Sequence, residues 1–115
     1  DEETEFDRKW ALTVLRAALE RVERAYVEAG QEGLFAILRS FLPGGAPLPS
    51  YDESAERAGL SLAALNSQVH RMRRQFRDAV RTEVASTVSA PHEMEEEIAY
   101  LYRLLMDRGT NLQDS

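Results

Sequence analysis

Apolar residues recur at three- and four-residue intervals along most of this chain, which is the spacing of amphipathic helices. The first such segment predicts a helix that is capped by Thr4 with Asp7 and ends at Gly30. A shorter segment from Gln31 to Leu42 repeats the pattern and predicts a second, antiparallel helix. The aromatic and β-branched residues at multiples of four in the first segment, which we expect in the core, are Phe6, Trp10, Val14, Val22 and Tyr26.

A loop rich in proline and glycine separates these helices from the rest of the chain. The stretch Pro43–Pro49 holds three of the four prolines. It is followed by a capping box, in which Ser50 accepts from a backbone amide three residues on while Glu53 reaches back. This box predicts a short helix to about residue 58, after which Gly59 suits the left-handed cap position and Ser61 is placed to cap another helix. We therefore expect a tight corner between two helices.

The two remaining helices are long stretches without an internal helix breaker. One runs from Leu62 to about Thr87, and the other begins around Pro91, carries acidic residues in its first turns and ends near Gly109. No period-two strand pattern occurs, so the sequence predicts an all-α domain of five helices with a helix-turn-helix at about residues 51–81. We place this domain at residues 6–108, with an acidic linker remnant at 1–5 and a polar tail at 109–115.

Size and composition exclude several classes of protein. With 115 residues and a net charge of −6, the chain fits a single domain. It has no cysteine, which excludes disulfide frameworks, thiolate metal sites and cysteine nucleophiles and favours a reducing, cytoplasmic setting. No apolar run approaches the roughly 18 to 20 residues of a membrane span, so we expect no membrane partner.

The long helix from Leu62 has two chemically distinct faces when its residues are placed at about 100° intervals. One face is apolar and consists of Leu65, Val69, Met72, Phe76 and Val80. The other face is polar and basic and consists of Asn66, Ser67, His70, Arg71, Arg74, Arg77 and Arg81. Between Asn66 and Arg81 there are five arginines and one aspartate, a local charge of +4 in a chain whose net charge is negative. Such segregated positive charge indicates phosphate binding, and it lies where a helix-turn-helix presents its reading helix.

Two stretches of this corner and helix resemble a known family. Ser54–Ser61, with the sequence SAERAGLS, and Leu65–Arg74, with the sequence LNSQVHRMRR, are similar to region 4 of bacterial RNA polymerase sigma factors of the extracytoplasmic-function (ECF) class. The blocks Phe6–Leu12 and Leu34–Leu42 also resemble a subgroup of these factors, so the resemblance covers about residues 6–105. Region 2, which binds core polymerase in the family, is missing here, and we therefore expect the chain to be a fragment of a longer protein.

The resemblance implies recognition of the −35 promoter element by an alternative sigma factor, which directs RNA polymerase to transcription start sites. In the family the helix after the corner enters the major groove, and the positions that match its contact residues are Asn66, Ser67, His70 and Arg71. Chemically, Asn66 suits adenine and Arg71 suits guanine or a phosphate. Arg74 and Arg77 lie further along the helix, where we expect phosphate contacts.

The resemblance also implies protein partners. Region 4 of the family grips a helical flap on the polymerase β subunit through apolar surface, for which we select Leu38, Phe41 and Tyr51 near the proline loop. An anti-sigma factor is a further partner. Family members often carry basic residues where Asn66 and Gln68 stand, and this difference lowers the expected affinity for DNA. No enzymatic activity, cofactor, metal or small-molecule substrate is expected.

Other chemistry-bearing residues have simpler interpretations. His70 and His92 lie on different predicted helices and form no recognisable ligand spacing, and the acidic residues after Pro91 fit a solvated helix start. Those acids suggest a second hypothesis, in which the last helix folds over the arginines and inhibits DNA binding. The alternative to DNA binding is a helical protein–protein interaction or dimerisation module, whose arginines only pair with acidic neighbours.

Overall fold

The computed structural model describes residues 2–43, 47–88 and 90–106, and every regular element within them is helical. Five α-helices follow one another: α1 at Glu2–Glu28, α2 at Glu32–Leu38, α3 at Tyr51–Ala58, α4 at Leu62–Ala85 and α5 at Met94–Met106. Single 3-10 turns at Arg39–Phe41 and Pro91–Glu93 follow α2 and precede α5. The predicted all-α class with five helices is confirmed.

The two longest helices, α1 and α4, form the largest interface of the fold. Helix α5 packs against both of them, whereas α2 contacts α1, α3 and α4, and α3 packs on α4. These contacts enclose one hydrophobic core, because each helix turns its apolar stripe inward. The predicted apolar face of α4 is confirmed as buried: Leu65, Val69, Met72, Phe76 and Val80 are each no more than 2% exposed.

Helix α1 begins earlier than the sequence pattern predicts. It starts at Glu2, so Thr4 and Asp7 lie inside the helix and do not cap it. Residues 2–5, which we expected to belong to a linker remnant, are its first turn. The physical reason is that Glu2, Glu3 and Glu5 place negative charge at the positive end of the helix dipole, where it favours helix formation.

The aromatic stripe predicted for α1 is only partly buried. Val14, Val22 and Tyr26 are in the core and Trp10 packs against it, but Phe6 is 71% exposed. An α-helix has 3.6 residues per turn, so each step of four residues advances about 40° beyond a full turn. The five steps between Phe6 and Tyr26 therefore add up to roughly half a turn, and the two rings lie on opposite sides of α1.

Local backbone preferences determine where the first two helices end. Gly30 has φ +71° and its amide donates to the carbonyl of Val27 at 2.9 Å, which confirms the predicted end of α1. The second helix is shorter than predicted, because its α-helical part stops at Leu38 and one 3-10 turn follows. Leu42 is extended, with φ −98° and ψ 157°. This is the conformation that a following proline, here Pro43, imposes on the residue before it.

Helix α5 is tied to the start of α1 by a polar contact. The Tyr100 hydroxyl donates a hydrogen bond to the Asp7 carboxylate, and this bond raises the pKa of Tyr100. The sequence predicts that this helix begins around Pro91, but a 3-10 turn occupies Pro91–Glu93 and the α-helix starts at Met94. The predicted end near Gly109 and the polar tail at 109–115 lie outside the described residues. Among the helices described, none has the length and apolar character needed to cross a bilayer.

Gly30 and Gly33 differ in backbone conformation, and alanine substitutions at the two positions test this difference. We expect Gly30→Ala to destabilise the fold by about 1–2 kcal/mol, because an L-residue is strained in the left-handed region that Gly30 occupies. Gly33 lies inside α2 with open space around its Cα, so Gly33→Ala is expected to stabilise the fold by up to about 1 kcal/mol. Urea denaturation of both variants measures the difference. Equal effects at the two positions would contradict the assignment of the turn.

Candidate nucleic-acid interface

The corner between α3 and α4 is built from hydrogen bonds that its own sequence supplies. The Ser50 hydroxyl accepts from the Glu53 amide at 3.2 Å at the start of α3, and the Ser61 hydroxyl accepts from the Ala64 amide at 3.1 Å at the start of α4. Gly59, with φ +70°, lies between the helices, and the Leu60 amide donates to the Ala55 carbonyl at 2.9 Å. The caps at Ser50 and Ser61 and the glycine turn are confirmed, but no hydrogen bond from the Ser50 amide to the Glu53 side chain completes the predicted capping box among the described residues. These bonds fix the direction in which α4 leaves α3.

The side of α4 opposite the core carries the predicted DNA-binding residues. All six of them are exposed on this one helix, which places them on a common outer face: Asn66, Ser67, His70, Arg71, Arg74 and Arg77. Two further polar residues flank this face, namely the half-buried Gln68 and the exposed Gln75. Residues 66–70 of α4 therefore present amide, hydroxyl and imidazole groups, and the guanidinium groups follow from residue 71 onward.

The five arginines of α4 have different environments. Arg73 is half-buried: its Nε donates to the Phe41 carbonyl at 3.1 Å, and its guanidinium carbon lies 5.9 Å from the centre of the Phe41 ring. Arg81 forms an ion pair with Glu95 of α5. Arg71, Arg74 and Arg77 form no ion pair with any described residue. Positive charge is therefore available for a ligand at three of the five arginines.

Two tyrosines lie close enough to this face for its arginines to affect their pKa. Burial raises the pKa of Tyr26, and the Arg71 guanidinium partly offsets that rise. Burial likewise raises the pKa of Tyr102, and Arg77 partly offsets it. Arg71 thus lies beside α1, whereas Arg77 lies beside α5, so the free arginines run from one neighbouring helix towards the other.

The acidic start of α5 reaches the basic face only at its edge. Glu95 pairs with Arg81, and both side chains remain largely exposed in this contact. In the described residues, no carboxylate of α5 pairs with Arg71, Arg74 or Arg77. The first turns of α5 therefore do not cover the arginine face as the inhibition hypothesis requires. Exposed pairs of this kind contribute at most about 1 kcal/mol, so Glu95 is a weak competitor for a nucleic acid.

The residues selected for a protein partner occupy different depths. Leu38 is 0% and Phe41 is 3% exposed, so both belong to the core and offer no surface to a partner. The sequence pattern could not separate them from surface residues, because the chain folds the end of α2 against α3 and α4. Tyr51 is half-buried and its ring lies 4.8 Å from that of Phe41. It lines an open pocket of about 460 Å³ together with Leu62, Ala63 and Asn66.

A second pocket was not predicted from the sequence. It lies between the end of α1 and the flank of α4, and it has a volume of about 110 Å³. Its lining residues are Ala25, Tyr26, Ala29, Gln31, Gln68, Arg71 and Gln75. No sequence signal identifies this group, because its members become neighbours only when α1 packs on α4.

The histidines and acidic residues that the structure describes form no recognisable metal site. His70 is exposed on α4, and His92 is exposed in the turn before α5. In the part of the chain that the structure describes, no three histidine or carboxylate side chains are grouped so as to hold a metal ion.

Comparisons of this chain with protein-family models, curated proteins and solved structures found no match.

Adjacent arginines of α4 provide a test of these assignments. We expect Arg73→Ala to destabilise the fold by about 1–3 kcal/mol, because it leaves the carbonyl of the buried Phe41 without its hydrogen-bond donor. The matched variant Arg74→Ala removes an exposed side chain and should change stability by no more than about 0.5 kcal/mol. Urea denaturation measures both, and equal stability of the two variants would show that the Arg73 contact contributes nothing.

Proposed function

We propose that this chain is the promoter-recognition domain of an alternative sigma factor, which binds the −35 element and directs RNA polymerase to transcription start sites. The observation that supports it best is the outer face of α4, where Arg71, Arg74 and Arg77 are exposed and form no ion pair with the described residues. This face follows directly on a corner whose hydrogen bonds fix the start of α4. The likeness of Ser54–Ser61 and Leu65–Arg74 to region 4 of ECF sigma factors adds support from the sequence.

In the proposed mechanism, the first two turns of α4 read base edges. An α-helix fits the major groove of B-DNA, where every base pair displays a distinct pattern of donors and acceptors. Asn66 can form two hydrogen bonds with adenine, and Ser67 and His70 can each form one with a base or a phosphate. In this arrangement α3 crosses the DNA backbone, as the first helix of a helix-turn-helix does.

The arginines supply the part of the affinity that does not depend on sequence. Each phosphate that an arginine neutralises releases condensed counterions, so binding weakens as the salt concentration rises. Three arginines of α4 are free for this purpose, whereas Arg73 is used by the Phe41 carbonyl and Arg81 by Glu95. The net charge of −6 repels DNA from the rest of the chain, which orients the domain with α4 towards the duplex.

The proposal assigns the protein partner to the pocket beside Tyr51. Leu62 is 51% exposed there, and with Tyr51 and Ala63 it forms an apolar surface on which a helix of the polymerase flap can dock. An anti-sigma factor would compete for the same face or for α4. The proposal places the protein in the cytoplasm with its polymerase and assigns it no catalytic step.

A helical protein-interaction module is the competing function. The exposed Phe6 and Leu62 favour it, because large apolar side chains on the surface are commonly used for protein contacts. The two functions differ in their response to salt. Phosphate contacts weaken steeply as salt rises, whereas an apolar protein interface is much less sensitive.

The experiment is a titration of a labelled mixed-sequence duplex with the protein, followed by fluorescence anisotropy at several salt concentrations. We expect the logarithm of the binding constant to fall linearly with the logarithm of the salt concentration. Replacing Arg74 and Arg77 with glutamine should weaken binding to all sequences. It should also reduce the slope of log K against log salt concentration, here called the salt slope, by about two, because each phosphate contact contributes about 0.9. Subsequent selection from a random duplex library would define the preferred hexamer.

The matched control removes the same charge elsewhere. Lys9 and Arg16 are exposed on α1, so Lys9→Gln with Arg16→Gln lowers the net charge equally without touching α4. This control should retain the wild-type slope. If the folded wild-type protein failed to bind any duplex even at low salt but self-associated in sedimentation experiments, the interaction module would replace the proposed function.

A further inference from the structure

We propose that the pocket between α1 and α4, here called the Tyr26 pocket, binds a phosphate group, and that in a DNA complex this group is a backbone phosphate at the edge of the α4 interface. The Tyr26 pocket is formed by Ala25, Tyr26, Ala29, Gln31, Gln68, Arg71 and Gln75. The identity of the ligand as DNA rests on the proposed function, whereas the preference for phosphate rests on the pocket itself.

The size of the Tyr26 pocket suits one phosphate group. Its volume is about 110 Å³. A phosphate with its tetrahedral oxygens fits a pocket of this size. The pocket also opens beside the exposed face of α4, where a DNA backbone would run.

The lining of the Tyr26 pocket supplies hydrogen-bond donors and one positive charge. Arg71 contributes a guanidinium group, which is the preferred partner for a phosphate, and three glutamine side chains contribute amide donors. None of the described lining residues carries a carboxylate. Glutamine amides and a single cation can therefore surround an anion without an opposing negative charge in the pocket wall.

Tyr26 gives this pocket a rigid donor. The residue is only 5% exposed, and its ring lies 5.3 Å from that of Phe35, so the phenol is held by core packing. Its hydroxyl makes no hydrogen bond with any described residue, while the Arg71 guanidinium is near enough to affect its charge state. A bound phosphate oxygen would accept from both groups at once. A donor fixed in advance loses little entropy on binding.

This assignment changes the role expected for Arg71. A guanidinium that holds a phosphate in the Tyr26 pocket is not free to pair with guanine in the major groove. Base reading then falls to Asn66, Ser67 and His70, which are exposed on α4 and do not line the Tyr26 pocket. Arg71→Gln should accordingly weaken binding to all duplex sequences equally and lower the salt slope by about one.

The test uses Tyr26→Phe, which removes the hydroxyl and keeps the packed ring. Tyr102→Phe is the matched control, because Tyr102 is also partly buried and also senses an arginine of α4, but lies on α5 outside the pocket. Inorganic phosphate is titrated at constant ionic strength, with chloride as the balancing anion, while NMR follows the side-chain amides of Gln68 and Gln75. The same proteins are then titrated with the labelled duplex.

We expect phosphate to shift these amide resonances in the wild type and in Tyr102→Phe, with about tenfold weaker binding in Tyr26→Phe, the loss expected for one hydrogen bond to a charged group. Duplex affinity should fall by a similar factor with an unchanged salt slope. Phosphate binding without any effect of Tyr26→Phe on duplex affinity would overturn DNA as the source and indicate a free phosphate compound. Absence of phosphate binding, or equal binding in all three proteins, would overturn the site. A wild type that binds phosphate but no duplex would refute the proposed function alone.

Discussion

The packing of the apolar side of α4 against α1 is the constraint on which the rest of this structure depends. Seven residues of α4, from Leu65 to Val84, are buried, and they recur at helical spacing. Burying them fixes the rotation of α4 about its own axis, because any other rotation would expose them to water. The residues on the opposite side are thereby forced outward. The exposure of the basic face is therefore a consequence of core formation and needs no contact of its own.

Whether an arginine of α4 is available to a ligand depends on its neighbours, because all five carry the same charge. Arg73 donates a hydrogen bond to the Phe41 carbonyl, Arg81 pairs with α5, and Arg71 lies against α1. Arg71, Arg74 and Arg77 form no direct hydrogen bond or ion pair with the described residues, and of these three Arg74 and Arg77 lie outside the Tyr26 pocket. A count of positive charges along the sequence treats these five residues as equivalent. The fold divides them into structural and available groups.

Features of the fold that depend on residues close to one another in the sequence could be predicted. The caps at Ser50 and Ser61 and the left-handed Gly59 follow from residue type and spacing alone, and the buried stripe of α4 follows from its period. Phe6 was misplaced because a spacing of four drifts out of phase with the helix over a long segment. The burial of Leu38 and Phe41 depends on which helices cover them.

The candidate site shows the same division. The exposure of its six residues on one face of α4 could be predicted, since they alternate with the buried stripe of a single helix. Pairing of the arginines with acidic neighbours was one of the alternatives, but the choice of Arg81 with Glu95 and the grouping of Tyr26 with Gln68 could not be predicted, because each joins separate helices. Contacts of this kind depend on how helices approach one another, and local patterns carry no information about that approach.

The contact between Arg73 and Phe41 also has an evolutionary consequence. A guanidinium can donate through its Nε while its flat face covers an aromatic ring, and the ammonium group of lysine has no such plane. Position 73 should therefore resist exchange of arginine for lysine, although the charge would be kept. Its neighbour at position 74 is free of this restriction, so a lineage adapting to a different ligand could vary that residue without first repairing the fold.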